Sequence, residues 1–382
     1  MCIAGIICEY NPLHLGHQKQ MDTLRAQLGA DTRIVCAMSG NFVQRGHPAI
    51  FDKMCRAKAA ILAGADLVVE LPVTYALSSA EGFAAGGVDI LSRVCDTLCF
   101  GAEDADGERL TETAKALLSS EFSEKLRPQL DTGLSFPAAR ARALKDMGID
   151  AAILDRPNNI LAVEYCKAIL TQNSNMDILP IHRAGFYHAA QADAENPSAT
   201  SLRNLIHNRG NWQDFVPEAV LSCFENANIH SLKKGENAIL YRLRTMTDAE
   251  FEALPYGSEG LWRKLMHASR ECRTLEDIVD TTKSKRYTRT RIDRMILCAF
   301  LGLTTGDFKS PVPYCRVLAF NDTGRAILKH VKESGFFVNI GEDTRQPYQE
   351  IERRTTALYG LFADTPEEPD AEQDYRIYYR NL

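Results

Sequence analysis

The chain has 382 residues, 45% of them apolar and 25% charged, with a formal net charge of −6. That length exceeds one ordinary core and implies two or three folding units. No apolar run approaches the ~20 residues of a bilayer span, and the first residues lack the basic region and cleavage site of a secretory signal. No membrane association is expected, and cytoplasm is the expected compartment.

Residues 3–8 read as a strand that breaks at Asn11-Pro12. A helix over 17–28 follows, with Met21, Leu24 and Leu28 at helical spacing. Residues 34–38 form a second strand, 52–62 a helix ended by Gly64, and 66–71 a third strand closed by Pro72. Residues 80–91 are helical, 97–100 form a strand ending at Gly101, 176–181 another strand, and 198–206 open a helix. Short apolar strands separated by helices predict an α/β fold: a doubly wound parallel, Rossmann-like sheet over 1–210. Ligands of such sheets sit beyond the carboxyl ends of the strands, where the unusual polar clusters of this chain fall.

Residues 211–305 read as mainly helical, and 306–382 as a small C-terminal α/β region holding a solvated acidic loop, "TPEEPDAEQD". The eleven cysteines stand singly, without a CxxC pair. That pattern excludes a disulfide framework or zinc ribbon, and no metal-ligand set is expected. The acidic balance argues against indiscriminate polyanion binding but leaves room for a local basic patch.

Three stretches carry chemistry. In "CEYNPLHLGHQKQ" two imidazoles flank a glycine, His14-Leu15-Gly16-His17, at a strand-to-helix turn. A helix N-terminus offers unpaired N–H groups and partial positive charge. Gly16 permits close approach, and two imidazole donors there suit a departing pyrophosphate. The plainer reading is a helix cap. "SATSLR" opens a later helix, where Ser198, Thr200 and Ser201 with Arg203 form either a phosphate clamp or an ordinary cap with a surface arginine. "KSKRYTRTRIDR" concentrates six basic residues against one acid, with Tyr287 between them. That is either a solvated face or a polyanion site with a ring available for stacking.

The histidine turn and the Ser/Thr-x-x-Arg helix start together resemble the HxGH nucleotidylyltransferase superfamily. The segments "GIICEYNPLHLGH", "MSGNFVQRGHPAIFDKMCRAKAAILAGADLVVELP", "SSAEGFAAGGVDIL", "FGAED", "RPNNILAVEY", "SATSLR", "SKRYTRTRIDRMILCAFLG" and "YCRVLAFNDTGRAIL" resemble, within it, the bacterial tRNA(Met) cytidine acetate ligases. The resemblance spans nearly the whole chain. It implies an enzyme that activates acetate with ATP, with Mg2+ carried by the nucleotide. The acetyl group then passes to N4 of the wobble cytidine of elongator tRNA-Met, with no obligatory protein partner.

By that resemblance His14 and His17 are catalytic. ATP is wrapped by Ile7, Cys8, Glu9, Tyr10, Asn11, Pro12, Leu13, Leu15, Gly16 and Gln20, and met by Gly101, Asn158 (with Asn159 the alternative), Arg183, Ser198, Thr200, Ser201 and Arg203. Ser39, Gly40, Asn41, Gln44 and Lys53 are candidates for the acetyl or base pocket. Lys283, Lys285, Arg286, Tyr287, Arg289, Arg291 and Arg294 are candidates for tRNA. Two other readings stay open: a small-molecule adenylyltransferase of the superfamily, and an RNA-binding protein with a relic nucleotide site.

Overall fold

Successive side chains of a buried parallel strand must feed two different cores, and the first strands do so. The computed structural model describes residues 2–183, 198–308, 311–312, 314–331, 336–338, 347–369 and 377–381. Strands β1 (Ile3–Cys8), β2 (Arg33–Ser39), β3 (Leu67–Leu71), β4 (Thr97–Ala102) and β5 (Asp177–His182) lie in the order β3-β2-β1-β4-β5, all parallel. Along β2, Val35 and Ala37 enter the core on one face of the sheet. Ile34, Cys36 and Met38 enter the core on the other, as the two-residue period of a strand requires.

Helices α1 (Leu15–Leu28), α2 (Lys53–Leu62) and α3 (Ala80–Leu91) make the crossovers between β1, β2, β3 and β4. Helix α4 (Pro157–Thr171) leads into β5, and α5 (Ala199–His207) follows it. The chain order reverses between β1 and β4. There the carboxyl ends of neighbouring strands diverge and leave a crevice.

The last segment extends this same sheet. Strand β6 (Cys315–Asn321) pairs antiparallel with β3, and β7 (Phe337–Val338) and β8 (Tyr378–Arg380) pair parallel with β6. Eight strands therefore form one sheet drawn from both ends of the sequence.

Helices α6 (Glu236–Thr245), α7 (Leu261–Glu271), α8 (Leu275–Thr282) and α9 (Arg289–Leu301) build a third core. It takes in Phe42, Val73 and Leu77 from the α/β part, and Ile351, Tyr359 and Phe362 from the C-terminal segment. Phe42 belongs to a short antiparallel hairpin, Phe42–Val43 with His47–Pro48. Among the described residues, no helix is long and apolar enough to cross a membrane.

Candidate active site

Helix α1 starts at Leu15, two residues before the periodicity places it, because His14 serves as its cap. The Gly16 N–H donates to His14 Nδ1 at 3.1 Å, and the His14 N–H donates to His17 Nδ1 at 3.2 Å. This is a capping box built from two imidazoles. A ring nitrogen that accepts an N–H carries no proton, so each ring keeps its proton on Nε2. The rings stack with centroids 3.7 Å apart. His14 is 1% exposed, and its Nε2 has no hydrogen-bond partner among the described residues.

Gly16 is small for a nearby reason: a Cβ there would fall 2.9 Å from His14 Cε1. Burial, with the charges of Arg183 and Arg203, lowers the pKa of His14 to about 3. Burial, His14 and Arg183 push His17 well below its ordinary value. Both rings are neutral donors at pH 7.

The wider turn is a structural unit. Tyr10 and Leu13 are buried, the Asn11–Pro12 bond is cis, and Tyr10 meets the His17 ring edge-on at 5.0 Å. Asn11 Oδ1 accepts the Ile50 N–H at 2.8 Å. The Tyr10 hydroxyl lies 3.5 Å from Cys36 Sγ, and Gln20 Nε2 donates to Cys99 Sγ on β4 at 3.9 Å. Ile7 and Cys8 close β1 as core residues, while Glu9 accepts the Gln44 N–H at 2.9 Å.

The second helix start meets this turn although 192 residues separate them: Arg203 donates from Nη1 to the Asn11 carbonyl at 2.7 Å and from Nη2 to Thr200 Oγ1 at 3.1 Å. Two expected phosphate donors have local work instead. Ser198 Oγ accepts the Ser201 N–H at 3.1 Å, and Ser201 Oγ donates to the Ser198 carbonyl at 2.8 Å, both residues being buried. They hold the cap, and Arg203 provides the charge. Arg183 follows β5, its N–H bonded to the Ala102 carbonyl at 2.8 Å, with its Cδ 3.8 Å from the position of a Cβ at Gly101. The rest of "HRAGFYH" after Arg183 lies outside the described residues.

The candidates for the acetyl or base pocket are largely buried. Lys53 is 0% exposed and bonds Glu70 Oε1 at 2.7 Å. Asn41 Oδ1 caps the Lys53 N–H at 2.8 Å, and its Nδ2 donates to Thr356 Oγ1 at 3.4 Å. Arg56, also buried, donates to the carbonyls of Glu9, Ser39, Phe51 and Gly40, stitching the ends of β1 and β2 together. Ser39, Asn41 and Lys53 are buried, and Gln44 is tied to the histidine turn through the bond of its N–H to Glu9. A polar run after a strand reads the same in sequence whether it lines a pocket or braces one.

The basic run divides. Lys283 and Lys285 are exposed, with no ion-pair partner among the described residues. The half-buried Lys264 lies beside them, its Nζ donating to the Lys283 carbonyl at 3.4 Å. Arg286 pairs with Glu259 at 2.9 Å, Arg289 makes a two-pronged bond to Glu276, and Arg291 donates to Ser258 Oγ at 2.9 Å. The Tyr287 hydroxyl donates to the Glu259 carbonyl at 2.6 Å.

Arg294 departs from expectation. It is 8% exposed, lies over the Tyr256 ring at 5.3 Å, and reaches the Gln44 carbonyl at 3.3 Å. It is buried on the core side of α9 with Ile292, Met295 and Ile296. It anchors the hairpin to the helices, as does Gly46, whose φ is +82° and where a Cβ would fall 2.5 Å from the Arg294 nitrogen.

His47, on that hairpin, is a buried titratable group the motifs did not reveal. Burial, followed by the charges of Arg203, Arg289 and Arg45, lowers its pKa to about 4.

The described residues contain no group of three or more His, Cys, Asp or Glu side chains able to hold a metal ion. A family model described as HIGH Nucleotidyl Transferase matches residues 1–374. The tRNA(Met) cytidine acetate ligase of Clostridium novyi (strain NT) is 38% identical over 353 residues, covering 87% of this chain and 88% of the relative. That of Alkaliphilus metalliredigens (strain QYMF) is 34% identical over 421 residues, covering 100% and 99%. Among solved structures, Thermotoga maritima TmcAL in its apo form has a TM-score of 0.92, and the same protein bound with alpha-thio ATP has 0.89. Both are 28% identical and cover 100% of each chain. The chain belongs to the HIGH nucleotidyl transferases and, within them, to the tRNA(Met) cytidine acetate ligase family.

Proposed function

We propose that this protein is an ATP-dependent acetate ligase that acetylates N4 of the wobble cytidine of elongator tRNA-Met in the cytoplasm. One observation carries the reading. Both imidazoles of the turn spend Nδ1 on main-chain N–H groups and keep Nε2–H as a donor, beside the charges of Arg183 and Arg203. Neutral donors beside fixed cations stabilise negative charge that grows on a leaving pyrophosphate without themselves changing protonation state. The Thermotoga protein, alike over its whole length, has been crystallised with a thio analogue of ATP.

The chemistry needs two steps because acetate is a poor electrophile and cytosine N4 a weak nucleophile. A carboxylate oxygen of acetate attacks the α-phosphorus of ATP, the bond to the β-phosphate oxygen breaks, and pyrophosphate leaves. N4 then attacks the acetyl carbon of acetyl-adenylate. AMP departs with the bonding pair, and N4 gives up one proton. His14, His17, Arg183 and Arg203 hold the phosphates, and orientation supplies much of the rest. A magnesium ion would arrive on the triphosphate, where it would offset phosphate charge.

Residues 211–305 are the tRNA-binding region in this reading, with the exposed Lys283, Lys285 and Arg286 outermost and Lys264 beside them. Arg289 and His47 lead inward to the cleft. Incubation with ATP, labelled acetate and tRNA tests it: label on an RNA cytidine is the expected result. A stable adenylylated small molecule with unlabelled RNA, or binding without turnover, overturns it.

A further inference from the structure

The Glu103 carboxylate, just past the end of β4, gathers three N–H groups from the start of α4. Oε2 accepts the Asn159 main-chain N–H at 2.9 Å. Oε1 accepts the Asn158 main-chain N–H at 3.4 Å and the Asn158 Nδ2–H at 2.7 Å. The two main-chain bonds are a cap lent by another element, because Arg156, at the cap position, makes no side-chain capping bond and a carboxylate is favoured there.

The third bond is not needed for capping. A carboxylate only accepts, so Asn158 must turn its NH2 toward Glu103 and keep Oδ1 as a spare acceptor. Asn159 is fixed the opposite way. Its Oδ1 accepts the Asp104 main-chain N–H at 2.9 Å, and a main-chain N–H only donates, so Nδ2 is the spare group. Asn159 lines a cavity of about 370 Å³ with Glu103, Asp104, Arg156 and His182, beyond the ends of β4 and β5. Gly101 and Arg183 flank it in sequence.

We propose that Glu103 is a positioning residue that locks the amide polarity of Asn158, so that Asn158 and Asn159 together offer one acceptor and one donor to the adenine of ATP. The inference rests on the cleft being an ATP site. An adenine edge sets its N6 amine, a donor, beside a ring-nitrogen acceptor and matches that pair. Guanine places the acceptor O6 where adenine has the donor. Glu103→Gln keeps the shape but adds a donor, which is best satisfied by an Asn158 flip that turns Nδ2 toward the base.

Calorimetric binding of ATP, GTP and purine riboside triphosphate (ATP without the N6 amine) to the full chain tests this. E103Q is expected to bind ATP about tenfold more weakly or worse with GTP unchanged or tighter. Loss of the N6 amine should cost the unmodified protein about tenfold and cost E103Q nothing. A role in capping alone would lower the melting temperature of E103Q and leave the ATP-to-GTP ratio intact, which overturns the proposal. Should E103Q fail to fold, equal binding of ATP and purine riboside triphosphate by the unmodified protein overturns it equally. A protein that binds no ATP overturns the parent reading and this one together. ATP binding with unchanged base selectivity overturns this one alone.

Discussion

His14 and His17 are held uncharged by burial, which sets what titration should reveal. Because His14 stays neutral down to about pH 3, the rate of acetate-dependent ATP cleavage should show no limb near 6.5 from either ring. Stability should respond instead. The unfolded chain protonates these histidines below about 6.5 while the folded state resists, so the unfolded state binds more protons in that window. The contribution is complete above about pH 6.5 and is lost progressively as pH falls toward 3. Urea midpoints should therefore drop from pH 7 to pH 5, and drop less in His14→Ala. The same substitution, or His17→Ala, should slow ATP cleavage by about 10²–10³, the cost of a well-placed donor. A rate within a few-fold of the parent would remove both rings from the chemistry.

At the scale of elements, the hairpin between β2 and α2 joins the histidine turn to the basic helix α9. Its Gln44 N–H is held by Glu9 of the histidine turn, its Gln44 carbonyl by Arg294 of α9, and Gly46 lies against the α9 backbone. Gly46→Ala places a Cβ against main-chain atoms at positive φ, costing about 1–3 kcal/mol for the backbone alone. Acetylation of tRNA is expected to fall further than ATP cleavage without RNA, because the hairpin-to-helix seating is what moves. Equal losses in both assays would refute that. The strands β1 to β5 and helices α1, α2 and α3 were legible from apolar period, since their signals are local. Arg294 was not: in a dense basic run the charge masks the helical period that turns Ile292, Met295 and Ile296 inward. Lys53 misled for a related reason. Its partner Glu70 lies on β3, the strand that follows α2, and the pairing of a buried charge is a tertiary fact.

Across the whole molecule, the acidic net charge and the basic outer edge of the helices predict a strong salt response in tRNA binding. Lys283→Ala and Lys285→Ala should each reduce the slope of log affinity against log salt by about 1, with ATP binding unaffected. An unchanged slope would move the RNA path elsewhere. The buried Lys53–Glu70 pair has Arg316 Nη1 4.0 Å from Glu70 Oε2 and Glu352 accepting the Val73 N–H, tying four distant segments together. Lys53→Ala should cost about 3–5 kcal/mol by stranding a buried carboxylate, read as a lower denaturation midpoint. The antiparallel partner of β3 has a consequence for synthesis. Cys315 and Glu70 are neighbours in space but 245 residues apart along the chain, so on the ribosome the nascent sheet waits with one flank bare while the helical residues emerge. At about 5–20 residues per second that interval lasts roughly 10–50 s, during which the bare edge of β3 is open to stray pairing between chains.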